Sequence, residues 1–308
     1  MKPVGVLLVH GIGDQQPDWA QDAARQLTSR VMAALRRHLR SKAPVNPADV
    51  IALSPMYWAD LLAERQRELE QALAAAFKPI ASSSPFIAWF RSLWHRIRRK
   101  EFTFVSRFIA DIIAYFDAET RKRVHERMAD ALTRLEPEPP DGRKRPLTIV
   151  AHSLGAVISS NYVWDQAKAR RASGQKGFHP RWSFSNFFTL GSPMALFSLQ
   201  YGGPSAFKQP VRLEDPRGRW VNLWDQDDPV GMPLKSLNEA YGEAVFQDLR
   251  VQTGGYLIAH EGYFKDGRTL ELIARKLALD WIAEHGALPP GQLRALDLQY
   301  DKALEIRD

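Results

Sequence analysis

The sequence predicts an α/β fold with a doubly wound, mostly parallel β-sheet. Short apolar runs, which can form buried strands, alternate along the chain with longer segments of helical periodicity, and this alternation is typical of parallel βαβ units. The 308 residues are 45% hydrophobic and 25% charged, a composition that supports a sizeable core. We therefore expect residues 1–308 to form a single α/β domain.

Six strands are predicted from apolar runs or from segments rich in β-branched and aromatic residues. The first, Val4–Val9, is apolar at almost every position, as in a strand that helices cover on both faces. The other five are predicted over residues 50–58, 147–151, 184–190, 220–224 and 245–251.

Helices are predicted where apolar residues recur at spacings of three and four. Residues 17–40 carry such a stripe, which includes Leu27 and Leu35. A helix over residues 119–135 is ended by the prolines that begin at Pro137. The remaining helices are predicted over residues 61–77, 154–170 and 270–285, and we expect the last of these to close the chain.

Two segments do not fit the alternation of strands and helices. Residues 78–118 intrude between the second strand and its crossover helix, and residues 201–218 are polar and rich in Gly and Pro. Ligands bind to such sheets outside the carboxyl ends of the strands. We expect residues 78–118 to form an inserted helical cap or lid and residues 201–218 to form a loop over the site.

The charge balance and the missing cysteines limit the class of protein. The 42 Lys and Arg residues exceed the 35 Asp and Glu residues, giving a formal net charge of +7, which favours anionic partners. The chain has no cysteine, which excludes disulfides, a thiolate nucleophile and a Cys-ligated metal. The apolar run Val4–Val9 is too short for a secretory signal, and no run has the roughly 20 apolar residues of a spanning helix. We expect a cytoplasmic protein.

Residues 151–155, Ala-His-Ser-Leu-Gly, directly follow a predicted strand and open a predicted helix. A sharp turn of this kind lifts a serine hydroxyl clear of the sheet, and small residues two positions before and after it, here Ala151 and Gly155, avoid backbone clashes. The start of the helix would offer the amide of Leu154 to a developing oxyanion. The pattern indicates Ser153 as a nucleophile, and a serine that only caps the helix is the alternative.

In this turn the chain resembles the α/β-hydrolase-fold serine esterases and lipases. The family usually has Gly at the place of Ala151, and some bacterial lipases have the same Ala. Residues 191–193, Gly-Ser-Pro, follow the fourth predicted strand, and this turn is common in lipases at that place. The resemblance covers most of the chain outside the insertions. Because the first predicted strand already carries the His-Gly turn, the resemblance implies a core that lacks the family's two leading strands.

A Gly-rich turn, residues 9–15, ends the first predicted strand. Acyl transfer needs a second backbone N–H that faces the nucleophile, and Gly11 and Gly13 would let the main chain approach the substrate. The resemblance to lipases implies that Ile12 supplies this N–H. His10 and His152 are expected to shape the two loops at the substrate. A phosphate-binding turn is the alternative, but neither a Gly-x-Gly-x-x-Gly nor a Walker pattern is present.

Three carboxylates follow the fifth predicted strand, in residues 224–230. The acid of this fold lies between the serine and the histidine in chain order. Asp228-Pro229-Val230 resembles the acid loop of many lipases, which selects Asp228. Asp225 and Asp227 are expected to be solvated or to cap the loop. A Ca²⁺ site built from this acidic cluster is the alternative.

His260 is the histidine that we expect to act as the general base. Of the eight histidines in the chain, it alone follows the last predicted strand on a loop, 32 residues after Asp228. From a loop, an imidazole can reach Ser153 with one nitrogen and Asp228 with the other. A surface histidine with no catalytic role is the alternative.

Residues 86–100 combine aromatic residues at helical spacing with a basic opposite side. Phe90 and Trp94 lie on the apolar side, and Arg91 and Arg98 lie on the other. This pattern is typical of an amphipathic helix at a membrane surface. A function at an anionic membrane surface or as a lid, and plain packing as a cap, are equally favoured. Nucleic-acid binding is not expected, because no recognised binding module accompanies the charge.

Together these patterns predict a serine hydrolase that cleaves carboxylic esters, above all lipid or other acyl esters. Ser153, His260 and Asp228 would form a catalytic triad and pass through an acyl-enzyme, with the amides of Leu154 and Ile12 as the oxyanion hole. This chemistry requires no cofactor and no metal. A thioesterase or acyltransferase uses the same triad, and a catalytically silent membrane-binding protein of this fold is the alternative from another class.

Overall fold

The structure, a computed structural model, describes residues 2–11, 15–62, 67, 68, 71, 112–135, 143–255 and 259–305. The chain divides into two compact units. The first consists of Met1–Gly11, Asp18–Met56 and Met128–Asp308, and the second of Ile12–Pro17 and Tyr57–Arg127. The first unit contains the β-sheet. The predicted cap, residues 78–118, belongs to the second unit, and its positions 78–111 lie outside the described residues.

Six parallel strands form one sheet in the first unit, in the order β2-β1-β3-β4-β5-β6. This sheet confirms the predicted α/β class. The ends of the observed strands differ from the predicted ends by no more than two residues. The strands are β1 (Val4–Val9), β2 (Ile51–Met56), β3 (Arg145–His152), β4 (Trp182–Leu190), β5 (Trp220–Trp224) and β6 (Gln247–Arg250).

The strand order changes direction between β1 and β3. From β1 the chain adds β2 on one side, whereas the strands that follow β3 are added on the other side. Such a switch point leaves a crevice outside the carboxyl ends of the two strands. The loop after β1 begins at His10, and the turn after β3 holds Ser153. The topology therefore brings these two segments to one place.

Helices flank the sheet on both faces. One face presents Val4, Val6 and Leu8, and on it α1 (Gln21–Leu39) and α6 (Gly267–Glu284) pack together. Because side chains alternate along a strand, Val9 points to the other face, where it approaches Gly155 of α3 (Leu154–Ala172). No helix among the described residues has the length and apolar character needed to cross a membrane. The helices are α1 (Gln21–Leu39), α2 (Ala118–Arg134), α3 (Leu154–Ala172), α4 (Met194–Phe197), α5 (Glu239–Ala244), α6 (Gly267–Glu284) and α7 (Pro290–Glu305).

Helix α7 corrects the expectation that the preceding helix closes the chain. The Pro-Pro-Gly sequence at residues 289–291 suggests a break, but proline is tolerated in the first turn of a helix, where its missing N–H would have no intrahelical partner. Helix α6 also begins three residues before the predicted start, because Asp266 caps it by accepting the backbone N–H of Thr269 at 2.6 Å. Of the helix predicted over residues 61–77, most positions lie outside the described residues.

Ion pairs place the second half of the predicted loop 201–218 at the amino-terminal ends of the strands. Glu214 accepts a hydrogen bond from Lys144, the residue before β3, at 3.0 Å. Arg217 bonds both carboxylate oxygens of Asp297 in α7 at 3.0 Å. Residues 214–217 therefore lie near the amino-terminal ends of the strands. Ser153 follows the carboxyl end of β3 and so lies at the opposite end of the sheet.

Candidate active site

Ser153 lies in a strained turn between β3 and α3. Its φ of 54° and ψ of −130° belong to a region that residues with side chains rarely adopt, and strained backbone of this kind clusters at functional sites. Its side chain does not cap α3. Instead, Oγ lies 2.8 Å from Nε2 of His260. The alternative of a simple helix-capping serine therefore does not describe Ser153.

Two glycines let the backbone close around Ser153. A Cβ on Gly11 would lie 2.5 Å from the Cβ of Ser153, and one on Gly155 would lie 2.4 Å from the carbonyl oxygen of His10. Both distances are too short for a side chain. The loop after β1 therefore packs directly against the serine turn.

The structure describes one of the two predicted oxyanion donors, Leu154, but not the other. Leu154 is the first residue of α3, so its N–H belongs to the groups that a helix leaves without an intrahelical partner. Ile12, predicted as the second donor, and Gly13, predicted for the substrate loop, lie outside the described residues.

His260 links Ser153 to Asp228. It lies in a turn of 3₁₀ helix, Ala259–Glu261, and its Nδ1 is 2.9 Å from each carboxylate oxygen of Asp228. Ser153 has no exposed surface, and His260 and Asp228 are also buried. The structure thus brings together the three side chains that the sequence analysis selected.

Hydrogen bonds hold Asp228 in its ionised form. Burial acts to raise the pKa of Asp228, but the hydrogen bond and charge of His260, the backbone N–H of Val230 and the hydroxyl of Tyr263 lower it below its usual value. A carboxylate accepts the proton on Nδ1 of His260, which leaves Nε2 as the acceptor for the Ser153 hydroxyl. The array is therefore arranged to remove a proton from Ser153.

The other two carboxylates of the acid loop have different surroundings. Asp225 is buried and accepts the backbone N–H of Asp227 at 2.9 Å and the backbone N–H of Thr253 at 2.6 Å. It therefore ties the loop after β5 to the loop after β6, whereas Asp227 is exposed. Within the described ranges, no group of three or more His, Asp or Glu side chains is arranged to hold a metal ion.

Two further histidines support the loops as neutral hydrogen-bond donors. Nε2 of His152 lies 2.6 Å from the backbone carbonyl oxygen of His260. Burial, together with the charge of His260, lowers the pKa of His152 to about 3. His10 donates from Nδ1 to the carbonyl oxygen of Gly11 at 2.7 Å, and burial lowers its pKa to about 4. Both rings are therefore uncharged near neutral pH.

Tyr263 and Gly191 complete the surroundings of Asp228. Tyr263 donates from its hydroxyl to Oδ2 of Asp228 at 2.8 Å. Gly191 has a φ of 55°, and a Cβ there would lie 2.6 Å from the tyrosine ring and 2.7 Å from the same Oδ2. In the sequence, Gly191 stands out only as part of a lipase-like turn. Tyr263 has no predicted role, because no motif or periodicity marks that residue.

Comparison of this chain with protein-family models, curated proteins and solved structures gives no match. The helix predicted to contact membranes, residues 86–100, lies outside the described residues. The geometry around Ser153 is therefore the basis on which a function can be assigned.

Proposed function

We propose that this protein is a serine hydrolase that cleaves carboxylic esters, with lipid or other acyl esters as substrates. The observation that supports this function is the continuous hydrogen-bonded array in which His260 contacts Ser153 at 2.8 Å and Asp228 at 2.9 Å. The same arrangement activates serine in enzymes of unrelated folds. The strained turn at Ser153 and its place at the switch point of the sheet add support.

In the proposed reaction each group has a defined step. Oγ of Ser153 bonds to the carbonyl carbon while its proton passes to Nε2 of His260, and that proton then leaves with the alcohol as the carbon–oxygen ester bond breaks. Water attacks the acyl-enzyme in the same way, which releases the acid and restores Ser153. Asp228 stabilises the imidazolium in both halves. The amide of Leu154 holds the oxyanion, with that of Ile12 as the proposed second donor.

We further propose that the sheet is an α/β-hydrolase core without the two leading strands, with residues 78–118 as its cap. In support, the three groups follow three of the parallel strands in the order that this fold uses: serine after β3, acid after β5 and histidine after β6. We also propose that the protein is cytoplasmic and that residues 86–100 contact anionic membranes. The sequence pattern supports both of these proposals.

Labelling with a fluorophosphonate, which bonds covalently to activated serines, tests the proposal. We expect the wild-type protein to be labelled at Ser153, and Ser153→Ala to be unlabelled and without esterase activity. Ser159→Ala is the matched control, because Ser159 is a buried serine of α3 whose hydroxyl has no hydrogen-bond partner in the described part of the chain. Failure of the folded wild-type protein to react would contradict the proposal and favour a catalytically silent protein.

A substrate panel separates ester hydrolysis from reactions that use the same array. p-Nitrophenyl esters, phospholipids and acyl thioesters, each assayed with and without vesicles, should show the highest kcat/KM for an oxygen ester. A preference for thioesters would change the assignment to a thioesterase. Transfer of the acyl group to an added alcohol in place of water would change it to an acyltransferase.

A further inference from the structure

The hydroxyl of Tyr263 has two partners of opposite kind. The backbone N–H of Asp225 points to Oη at 2.9 Å, and Oδ2 of Asp228 lies 2.8 Å from the same oxygen. A peptide N–H can only donate, so the tyrosine oxygen accepts from Asp225 and directs its single proton to Asp228. Tyr263 is completely buried, which keeps bulk water from competing for either bond.

The carboxylate of Asp228 needs donors at both oxygens to keep its plane fixed. Oδ1 accepts the backbone N–H of Val230 at 3.0 Å, and His260 is equally close to both oxygens. Within the described residues, Tyr263 is therefore the one donor besides His260 that bonds Oδ2. Without it, the carboxylate could turn about its Cβ–Cγ bond and lose its alignment with the imidazole.

We infer that Tyr263 is a positioning residue of the reaction: its hydroxyl holds the Asp228 carboxylate so that both oxygens face Nδ1 of His260. This inference rests on the proposed hydrolase function. Tyr263 contacts no reacting atom and acts through Asp228. Supporting groups of this kind fix the orientation and basicity of the residues that they contact.

The packing of the ring fits this role. Gly191 leaves room for the ring, since any Cβ there would overlap it, and the centroids of the Tyr263 and His152 rings are 5.7 Å apart. Burial and the negative charge of Asp228 raise the pKa of Tyr263. The hydroxyl therefore keeps its proton, and remains a donor, over the whole pH range in which a serine hydrolase works.

Tyr263→Phe tests the inference, because it removes the hydroxyl and keeps the ring. We expect kcat for a p-nitrophenyl ester to fall roughly 10- to 100-fold, by analogy with the loss seen when a hydrogen-bond partner of a metal ligand is removed, with KM unchanged. Fluorophosphonate labelling of Ser153 should slow by the same factor. Both rates are divided by the number of Ser153 sites that the fluorophosphonate can label, so unfolded molecules in the preparation do not lower them. Tyr300→Phe is the matched control, since Tyr300 is buried and its hydroxyl has no hydrogen-bond partner in the described structure; its kcat should stay at the wild-type value.

A double-mutant cycle with Asp228→Asn separates positioning from general packing. If Tyr263 acts through Asp228, Tyr263→Phe should add little further loss in the Asp228→Asn background. Wild-type kcat in Tyr263→Phe, or losses that multiply in the double variant, would overturn the inference while labelling of Ser153 still supports the hydrolase. A wild-type protein that neither reacts with the probe nor cleaves esters would overturn both.

Discussion

A Cβ on Gly11 would lie 2.5 Å from the Cβ of Ser153 and 3.1 Å from its Oγ. The loop that leaves β1 thus touches the residue that leaves β3, with no room for a side chain between them. This contact follows from the strand order, because β1 and β3 are neighbours where the order changes direction. The position of Ser153 is therefore set by topology and backbone packing as well as by its own turn.

Replacement of Gly11 with alanine adds only one methyl group, but we expect it to slow the reaction of Ser153 strongly. The new methyl group must displace either Ser153 or the loop, which costs roughly 1–3 kcal/mol of stability, as in an overpacked core. A shift of about 1 Å at a reacting group can cost about 100-fold in rate. We expect a loss of that order in the rate at which the fluorophosphonate labels Ser153.

Gly291→Ala is the control for the Gly11 variant. Gly291 lies in the first turn of α7, and a Cβ there meets no atom within 4 Å, so alanine fits without displacing a neighbour. Urea denaturation should show equal or higher stability, with an unchanged labelling rate. Labelling of Gly11→Ala at the wild-type rate would mean that the loop after β1 does not constrain the nucleophile.

The three carboxylates of the acid loop should respond differently to replacement by asparagine. Asp228→Asn should reduce kcat by about 10⁴-fold, the loss known for a misoriented imidazole. Asp227→Asn should retain wild-type kcat, because Asp227 is exposed. Asp225→Asn should mainly lower the free energy of unfolding, by roughly 1.5–3 kcal/mol, because it weakens hydrogen bonds to a charged acceptor. A crippling effect of Asp227→Asn on ester hydrolysis would refute the choice of Asp228.

His10 and His152 should make the protein less stable in mild acid. Their pKa values in the folded protein, about 4 and about 3, lie below the usual value of about 6.5. As the pH falls below 6.5, the unfolded chain binds protons that the folded chain does not. The free energy of unfolding should therefore fall between pH 7 and pH 5 by about 2 kcal/mol for each histidine.

Urea denaturation of His152→Gln at pH 7 and pH 5 measures how much His152 contributes to this fall in the free energy of unfolding. Glutamine keeps an N–H donor for the carbonyl oxygen of His260 but does not titrate. The fall in stability between pH 7 and pH 5 should be about 2 kcal/mol smaller than in the wild-type protein. An identical fall in both proteins would show that folding does not lower the pKa of His152.

The sequence could indicate Ser153, Asp228 and His260 because each lies in the segment that follows a strand and their chain order is restricted. The choice of Asp228 among the three carboxylates depended on the resemblance of its loop to the acid loop of many lipases. No distance information was needed for that choice. Tyr263 could not be selected, since its role depends on how far a side chain reaches from a 3₁₀ turn to a carboxylate on another loop. Helix α7 was missed for a local reason, because Pro289, Pro290 and Gly291 suggest the end of a helical region and instead open one.

A buried polar network connects α6 to the middle of the sheet. Asp280 of α6 bonds Lys276 one turn earlier and accepts from Nδ2 of Asn186 in β4 at 2.6 Å. The same amide nitrogen bonds Oγ1 of Thr148 in β3 at 2.8 Å. All four residues are almost completely buried, and the partly exposed Arg217 places a second cation 4.0 Å from the Asp280 carboxylate.

Removing one member of this network should cost more than removing both charges. Asp280→Ala leaves the ammonium group of Lys276 buried without its carboxylate, and loss of one partner of a buried ion pair costs about 3–5 kcal/mol. The double variant Lys276→Met with Asp280→Ala also removes the ammonium group, with a methionine of similar length in place of Lys276, and apolar replacement of a buried ion pair is often neutral or stabilising. Urea denaturation should therefore show the double variant to be more stable than Asp280→Ala, while Ser153 is labelled at the wild-type rate per folded molecule. A double variant as unstable as the single one would show that the network, rather than the unpaired charge, supplies the stability.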